Sequence, residues 1–197
     1  MLKRFPGLLG SLILGVLLGV MAKYLDTVAV DGSWRTTVLH YLADTFTRLG
    51  VWVLTATLIA AYGRTMYRAA LHTFLFFSGM LISYYVYSSY LFGFFPTSYF
   101  LQWGVSALLS PLAAIVVWQA KNNGRLAYVL PALPMGLMLT LALGIGRFYV
   151  HVNYLDELFF YLVLCVIFYK NPKQAASSIV LSFIVAILLA ETHLFVF

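Results

Sequence analysis

Charge is what this chain has least of. Twelve Lys and Arg and six Asp and Glu make up 9% of the 197 residues, where a soluble domain carries about 25%. With 63% hydrophobic residues and a mean hydropathy of +0.94, a water-soluble domain is excluded. Cysteine is nearly missing. Cys165 stands alone within an apolar stretch, which excludes an intrachain disulfide or a thiolate metal site and leaves a small apolar residue. The sequence also has no stretch long enough for a separate polar domain, so residues 1–197 read as a single integral membrane domain.

The few charges are sorted. Lys3, Arg4, Arg64, Arg68, Lys121, Arg125, Lys170 and Lys173 lie in four short segments that contain no acid. Lys23, Arg35, Arg48 and Arg147 share the alternate segments with all six acids, Asp26, Asp31, Asp44, Asp156, Glu157 and Glu191. Cytoplasmic loops hold the excess of Lys and Arg, so the first group is expected inside and the second outside. The formal charge of +6 is then a matter of topology and anionic inner-leaflet lipid, and no nucleic-acid partner is expected.

Seven apolar stretches separate these segments, at 6–25, 49–63, 66–93, 98–120, 126–146, 155–169 and 174–195. The expected fold is an all-α, polytopic transmembrane helical bundle of about seven spans, N-in and C-out. Spans two and six are short for a core of about 30 Å and borrow from their flanks. Lys3 and Arg4 before an apolar run, with Val20-Met21-Ala22 behind it, resemble a signal peptide; the run from Gly7 to Leu25 is long enough to span, and a retained anchor is expected. Tyr and Trp gather at both expected interfaces. Asn122-Asn123-Gly124 and Asn171-Pro172 supply inner turns, and Phe94-Phe95-Pro96-Thr97 an outer one.

The longest connector, 26–48, carries Trp34, Val38, Tyr41 and Leu42 at helical spacing, with Arg35, His40, Asp44 and Arg48 between them. This predicts an amphipathic outer-surface helix near 34–48, capped by Asp31 or Ser33. It either fills space between spans or acts as a lid.

Several places could hold chemistry. Ser110-Pro111 and Pro131-Ala-Leu-Pro134 predict interrupted helices in spans four and five, where transporters place substrate sites. Ser83, Tyr87 and Tyr90 share one helical face, and Gln102 and Ser106 sit on the next span; together these predict an aromatic-lined pocket for a small or lipidic ligand. Glu191 is an ionisable group expected inside the apolar zone, hence a ligand-binding candidate. His151, Glu157, Glu191 and His193, with His40, offer ligand types for a zinc-like site without the spacing of any metal motif; the plainer reading is hydrated or paired groups, such as Arg147 with Asp156. Gly15-x-x-x-Gly19 offers a small-residue stripe for packing the bundle or for contacting a membrane-protein partner.

Enzyme patterns are missing. Gly104-Val105-Ser106-Ala107 is a poor match to a rhomboid-type nucleophile, and Asp156-Glu157 precedes Phe159, Phe160 and Tyr161 rather than the arginine of prenyl-protease-like sites. There is no phosphate-binding loop, and no cofactor is expected. Active transport would need a partner.

The stretch Phe76–Tyr99, with Phe77-Ser-Gly-Met80, Ser83-Tyr-Tyr85 and Phe92-Gly-Phe-Phe-Pro96-x-Ser98-Tyr99, resembles small uncharacterised integral membrane proteins of Gram-positive bacteria. That resemblance implies a bacterial cytoplasmic membrane and no particular activity. The chain is also similar to substrate-capture subunits of energy-coupling-factor vitamin importers, in the small-residue stripe at Gly15 and Gly19 and the outer loop after it. It departs from them in its seven expected spans and outward C-terminus, so no binding residues carry over. Three functions remain open: a non-enzymatic bundle that binds a ligand from the outer side, alone or as the membrane subunit of a transport assembly; an accessory protein acting through partner contacts; and an outer-face metal-dependent hydrolase or transferase.

Overall fold

A computed structural model describes residues 7–29, 31–146 and 149–192. It is all-helical apart from one short hairpin. The helices are α1 (Leu8–Leu25), α2 (Trp34–Thr47), α3 (Gly50–Ala61), α4 (Met66–Phe92), α5 (Thr97–Asn122), α6 (Ala132–Ala142), α7 (Leu155–Phe168) and α8 (Pro172–Glu191). A 3-10 turn (Leu126–Tyr128) precedes α6, and strands β1 (Leu143–Ile145) and β2 (Val150–Val152) follow it. Among the described residues α1, α4, α5 and α8 are each long and apolar enough to cross a membrane, and α2 with α3 adds a fifth if the bent pair is one span. Large apolar side chains stand exposed along them, as a lipid-facing surface requires.

The chain packs as two compact units, one formed by the residues up to Arg48 with Tyr62–Ile115 and the other by Leu49–Ala61 with the residues from Val116 onward. In the first, α1 lies against α4 along small residues. Ser11, Gly15, Gly19 and Ala22 are the buried stripe of α1. Gly79 answers from α4, where a Cβ would come within 2.6 Å of the Leu12 carbonyl oxygen. Without a hydrophobic drive between helices in lipid, this close backbone approach supplies the dispersion that holds them. The Ser83 hydroxyl donates to the Val16 carbonyl at 3.1 Å, and Ser11 Oγ meets His72 Nδ1 at 2.7 Å. The other side of α4 presents Leu81 and Tyr85 to Ala107 of α5, and Phe95 and Phe100 close an edge-to-face cluster with Tyr85. Gly93 ends α4 at φ +73, a left-handed cap that a side chain would strain.

In the second unit α6 is the centre. Gly136 admits Ser182 and Val185 of α8 so closely that a Cβ there would lie 2.6 Å from Val185 Cβ. Gln174, Ser178, Ser182 and Ala186 recur every four residues as the buried stripe of α8. Ser182 donates to the Ile179 carbonyl and therefore accepts from Tyr161 at 3.0 Å. Gln174, 1% exposed, has both ends of its amide bonded: Nε2 donates to the Ala127 carbonyl and to Ser178 Oγ, and Oε1 accepts from the Lys170 amide. The buried amide ties the 3-10 turn to α8.

Of the two expected proline interruptions, one needs correcting and the other is found. Pro111 does not interrupt α5, which runs unbroken from Thr97 to Asn122. Proline at 111 deprives the Ala107 carbonyl of its helical donor, and the Ser110 hydroxyl replaces it at 2.7 Å. Pro131 does divide the fifth stretch, into the 3-10 turn and α6, while Pro134 sits in the first turn of α6 where no amide hydrogen is needed. That stretch also ends early as a helix. Leu143–Ile145 pairs antiparallel with Val150–Val152, Gly144 opposite His151.

The connector helix forms at the expected place. Ser33 caps α2 by accepting from the Thr36 amide, and Asp31 braces the cap by accepting from the Thr36 hydroxyl at 2.6 Å and the Ser33 amide at 2.9 Å. Those bonds hold the Asp31 carboxyl at about 2, below its ordinary 3.8. A depressed carboxylate favours the folded turn above its unfolded value and loses that contribution as pH falls through the folded one. The amide protection factor at Thr36 is therefore expected to decline between about pH 4 and pH 2. Protection unchanged across that window would show that Asp31 does not hold the turn.

Candidate functional site

The most built polar site in the first unit sits where α1 ends. Lys23, in its last turn, is 9% exposed. Its ammonium lies 3.7 Å from Asp26 Oδ2, 5.0 Å from the Tyr84 ring centroid and 4.9 Å from that of Phe92. Asp26 in turn accepts from the Tyr84 hydroxyl at 2.5 Å, on the same Oδ2. The foot of α2 reaches its other oxygen through Thr47 Oγ1 at 3.4 Å. One carboxylate thus meets α1, α4 and α2.

Helix geometry puts these groups together. The positive side chain lies at the negative end of the α1 dipole. The α1–α4 contact fixes Tyr84 one position beyond Ser83, which is bound to α1, and Phe92 two turns further along α4. At 3.7 Å the Lys23–Asp26 pair is a charge contact and not a hydrogen bond. Two aromatic faces supplement it. Lys23 therefore keeps donors available to an anionic group that could approach more closely, in a setting already stripped of most water.

The residues expected to form a pocket lie apart. Ser83 faces α1, whereas α4 meets α5 through Leu81 and Tyr85. Tyr87 is half-buried, Tyr90 is 83% exposed, and Gln102 and Ser106 stand on the exposed surface of α5. Glu191 is the exposed last residue of α8. Gly15 and Gly19 are used within the chain, against Phe76 and Met80 of α4.

The acids and histidines expected on the outer side are likewise dispersed. The His151 ring lies over Gly144 and tilts against Tyr149 at 5.6 Å. Glu157, 2% exposed, lies in the first turn of α7 against Gly50. His40 pairs with Asp44 along α2 at 3.4 Å. His193 and Arg147 lie outside the described residues. Among the described residues no three His, Cys, Asp or Glu side chains converge on a metal position.

The Ser11–His72 pair joins a hydroxyl to an imidazole between helices, as a nucleophile and its base would be joined. Ser11 is 0% exposed, and among the described residues no carboxylate bonds His72 to orient it. A buried hydroxyl without an oriented base is an interhelical hydrogen bond.

Sequence reasoning passed over Lys23 and Asp26 as topology markers. A signal was present: Lys23 is one of only four cations sorted with the acids, and it falls within the last turn of an apolar run. No protein family, curated protein or solved structure matches the chain.

Proposed function

We propose that this chain is a seven-span membrane protein of a bacterial cytoplasmic membrane, N-terminus inside, that binds a small amphipathic ligand at the outer end of α1 and α4 without chemically changing it. The observation that carries this reading is the Lys23 ammonium, largely desolvated, flanked by Tyr84 and Phe92 and held by Asp26 only at charge-contact distance. An anionic group on the ligand would take Lys23, and its apolar body would lie on the rings.

Charge sorting supports the topology, with α1 and α3 to α8 lying in the seven apolar stretches. In this reading α3, α6 and α7 are short spans; the 12 residues of α3 rise about 18 Å, and their flanks or a locally thinned bilayer make up the difference. Helix α2 lies on the outer surface, its exposed Trp34, Val38 and Tyr41 turned to the headgroups, with Thr47 at the edge of the site. The bundle acts alone or as the membrane subunit of a transport assembly.

Native mass spectrometry of protein extracted in mild detergent tests the ligand. A bound molecule that is retained by the wild type and by Arg35→Gln, but lost in Lys23→Gln, is the expected result. Retention unchanged in Lys23→Gln, or no adduct on the wild type, would remove the site.

A further inference from the structure

The second unit carries a groove of about 320 Å³ along α7 and α8. Met135 of α6 forms part of its lining, together with Cys165, Phe168 and Tyr169 of the α7 end and Ala175 and Ile179 of α8. Gln174 and Ser178 also line it, yet the Gln174 amide bonds inward to Ala127, Lys170 and Ser178 itself. The groove therefore offers hydrocarbon, and its volume suits a stretch of one alkyl chain, at the low end of ligand sites of about 300–1,000 Å³.

Its end is cationic. Lys170 and Lys173 are exposed on either side of the Asn171 cap that starts α8. Lys121 reaches over from the end of α5 to donate to the Ile167 carbonyl, one residue before Phe168 in the groove wall. No acid occurs from Val116 to Leu155, nor between Glu157 and Glu191, so the segments that carry these lysines hold no carboxylate of their own. The positive end of the α8 dipole adds to the same field.

We infer that this groove holds one acyl chain of an anionic phospholipid whose phosphate rests on Lys170 and Lys173. A zwitterionic lipid would fill the hydrocarbon part but bring a second cation to the lysines. A small free anion would satisfy the lysines and leave the groove empty. The inference stands apart from the Lys23 site, which belongs to the other unit.

The test is a native mass spectrometry titration of the full-length protein in dodecyl maltoside. The probes are phosphatidylglycerol, phosphatidylcholine with the same acyl chains, and glycerol phosphate. One phosphatidylglycerol is expected to bind roughly thirtyfold more tightly than phosphatidylcholine, on the scale of two lysines near an anionic surface. That preference should vanish in Lys170→Gln/Lys173→Gln, whose altered side chains are exposed. Binding should also weaken in Ala175→Phe, which fills the groove and keeps both lysines. Val166→Trp at the exposed rim is the second occluding variant should Ala175→Phe fail to fold. Equal affinity for the two lipids, a preference that survives loss of both lysines, or full competition by glycerol phosphate would each overturn it.

Discussion

Gly15→Ala is expected to destabilise the contact between α1 and α4 by about 3 kcal/mol, the upper range for overpacking a tight interior. The new methyl would collide with the Phe76 carbonyl oxygen and stand 3.0 Å from the Met80 nitrogen, and both neighbours are backbone atoms that no rotamer change can move. The helices must separate along the whole stripe, which lengthens the Ser83–Val16 and Ser11–His72 bonds as well. Leu17→Ala, on the exposed side of the same helix, should change stability by less than about 0.5 kcal/mol. Reversible unfolding in mixed micelles measures both. Gly15→Ala unfolding like the wild type would mean that α1 does not depend on this approach. The same substitution should leave the lipid preference of the second unit unchanged, because none of the groove residues lies on α1 or α4.

Much of the helical layout was legible because lipid imposes a simple rule on sequence. Apolar runs bounded by sorted charge locate α1, α4, α5 and α8 within a few residues, and the Ser33 cap follows from side-chain chemistry. What escaped depends on particular partners, near and far in sequence, that the apolar pattern does not record. Pro111 reads locally as a break, and only the Ser110 hydroxyl bond to Ala107 explains the unbroken helix. The hairpin at 143–152 hides in an apolar run, where Gly144 and Gly146 were the available warning. The small stripe Ser178, Ser182, Ala186 is as regular as Gly15 and Gly19, and its use shows only where Gly136 packs against it. The Lys23 site needs Tyr84, 58 residues beyond Asp26, and no spacing rule connects them.

Asp26→Leu is expected to cost about 2 kcal/mol, between the scales for an exposed and a buried ion pair, because Lys23 is buried and Asp26 keeps contact with solvent. The side chains of Lys23 and Asp26 are 11% and 24% exposed, so water replaces the lost carboxylate only in part. The Tyr84 hydroxyl loses its acceptor in the same step. Tyr84→Phe alone should cost about 1.5 kcal/mol, as for a hydrogen bond to a charged group. Thr47→Val should cost well under about 1 kcal/mol, because its single proton is shared with the nearer Ala43 carbonyl at 2.9 Å. The decisive variant is the double one. Lys23→Met/Asp26→Leu removes the stranded cation together with the carboxylate and should recover most of the stability lost in Asp26→Leu, since apolar replacement of a whole buried pair is often neutral. If the double variant is as stable as the wild type yet no longer retains the ligand, the pair is kept for binding and not for folding. Strict additivity of the two single substitutions would instead show that Lys23 and Asp26 act separately, and the cluster would lose its standing as a site.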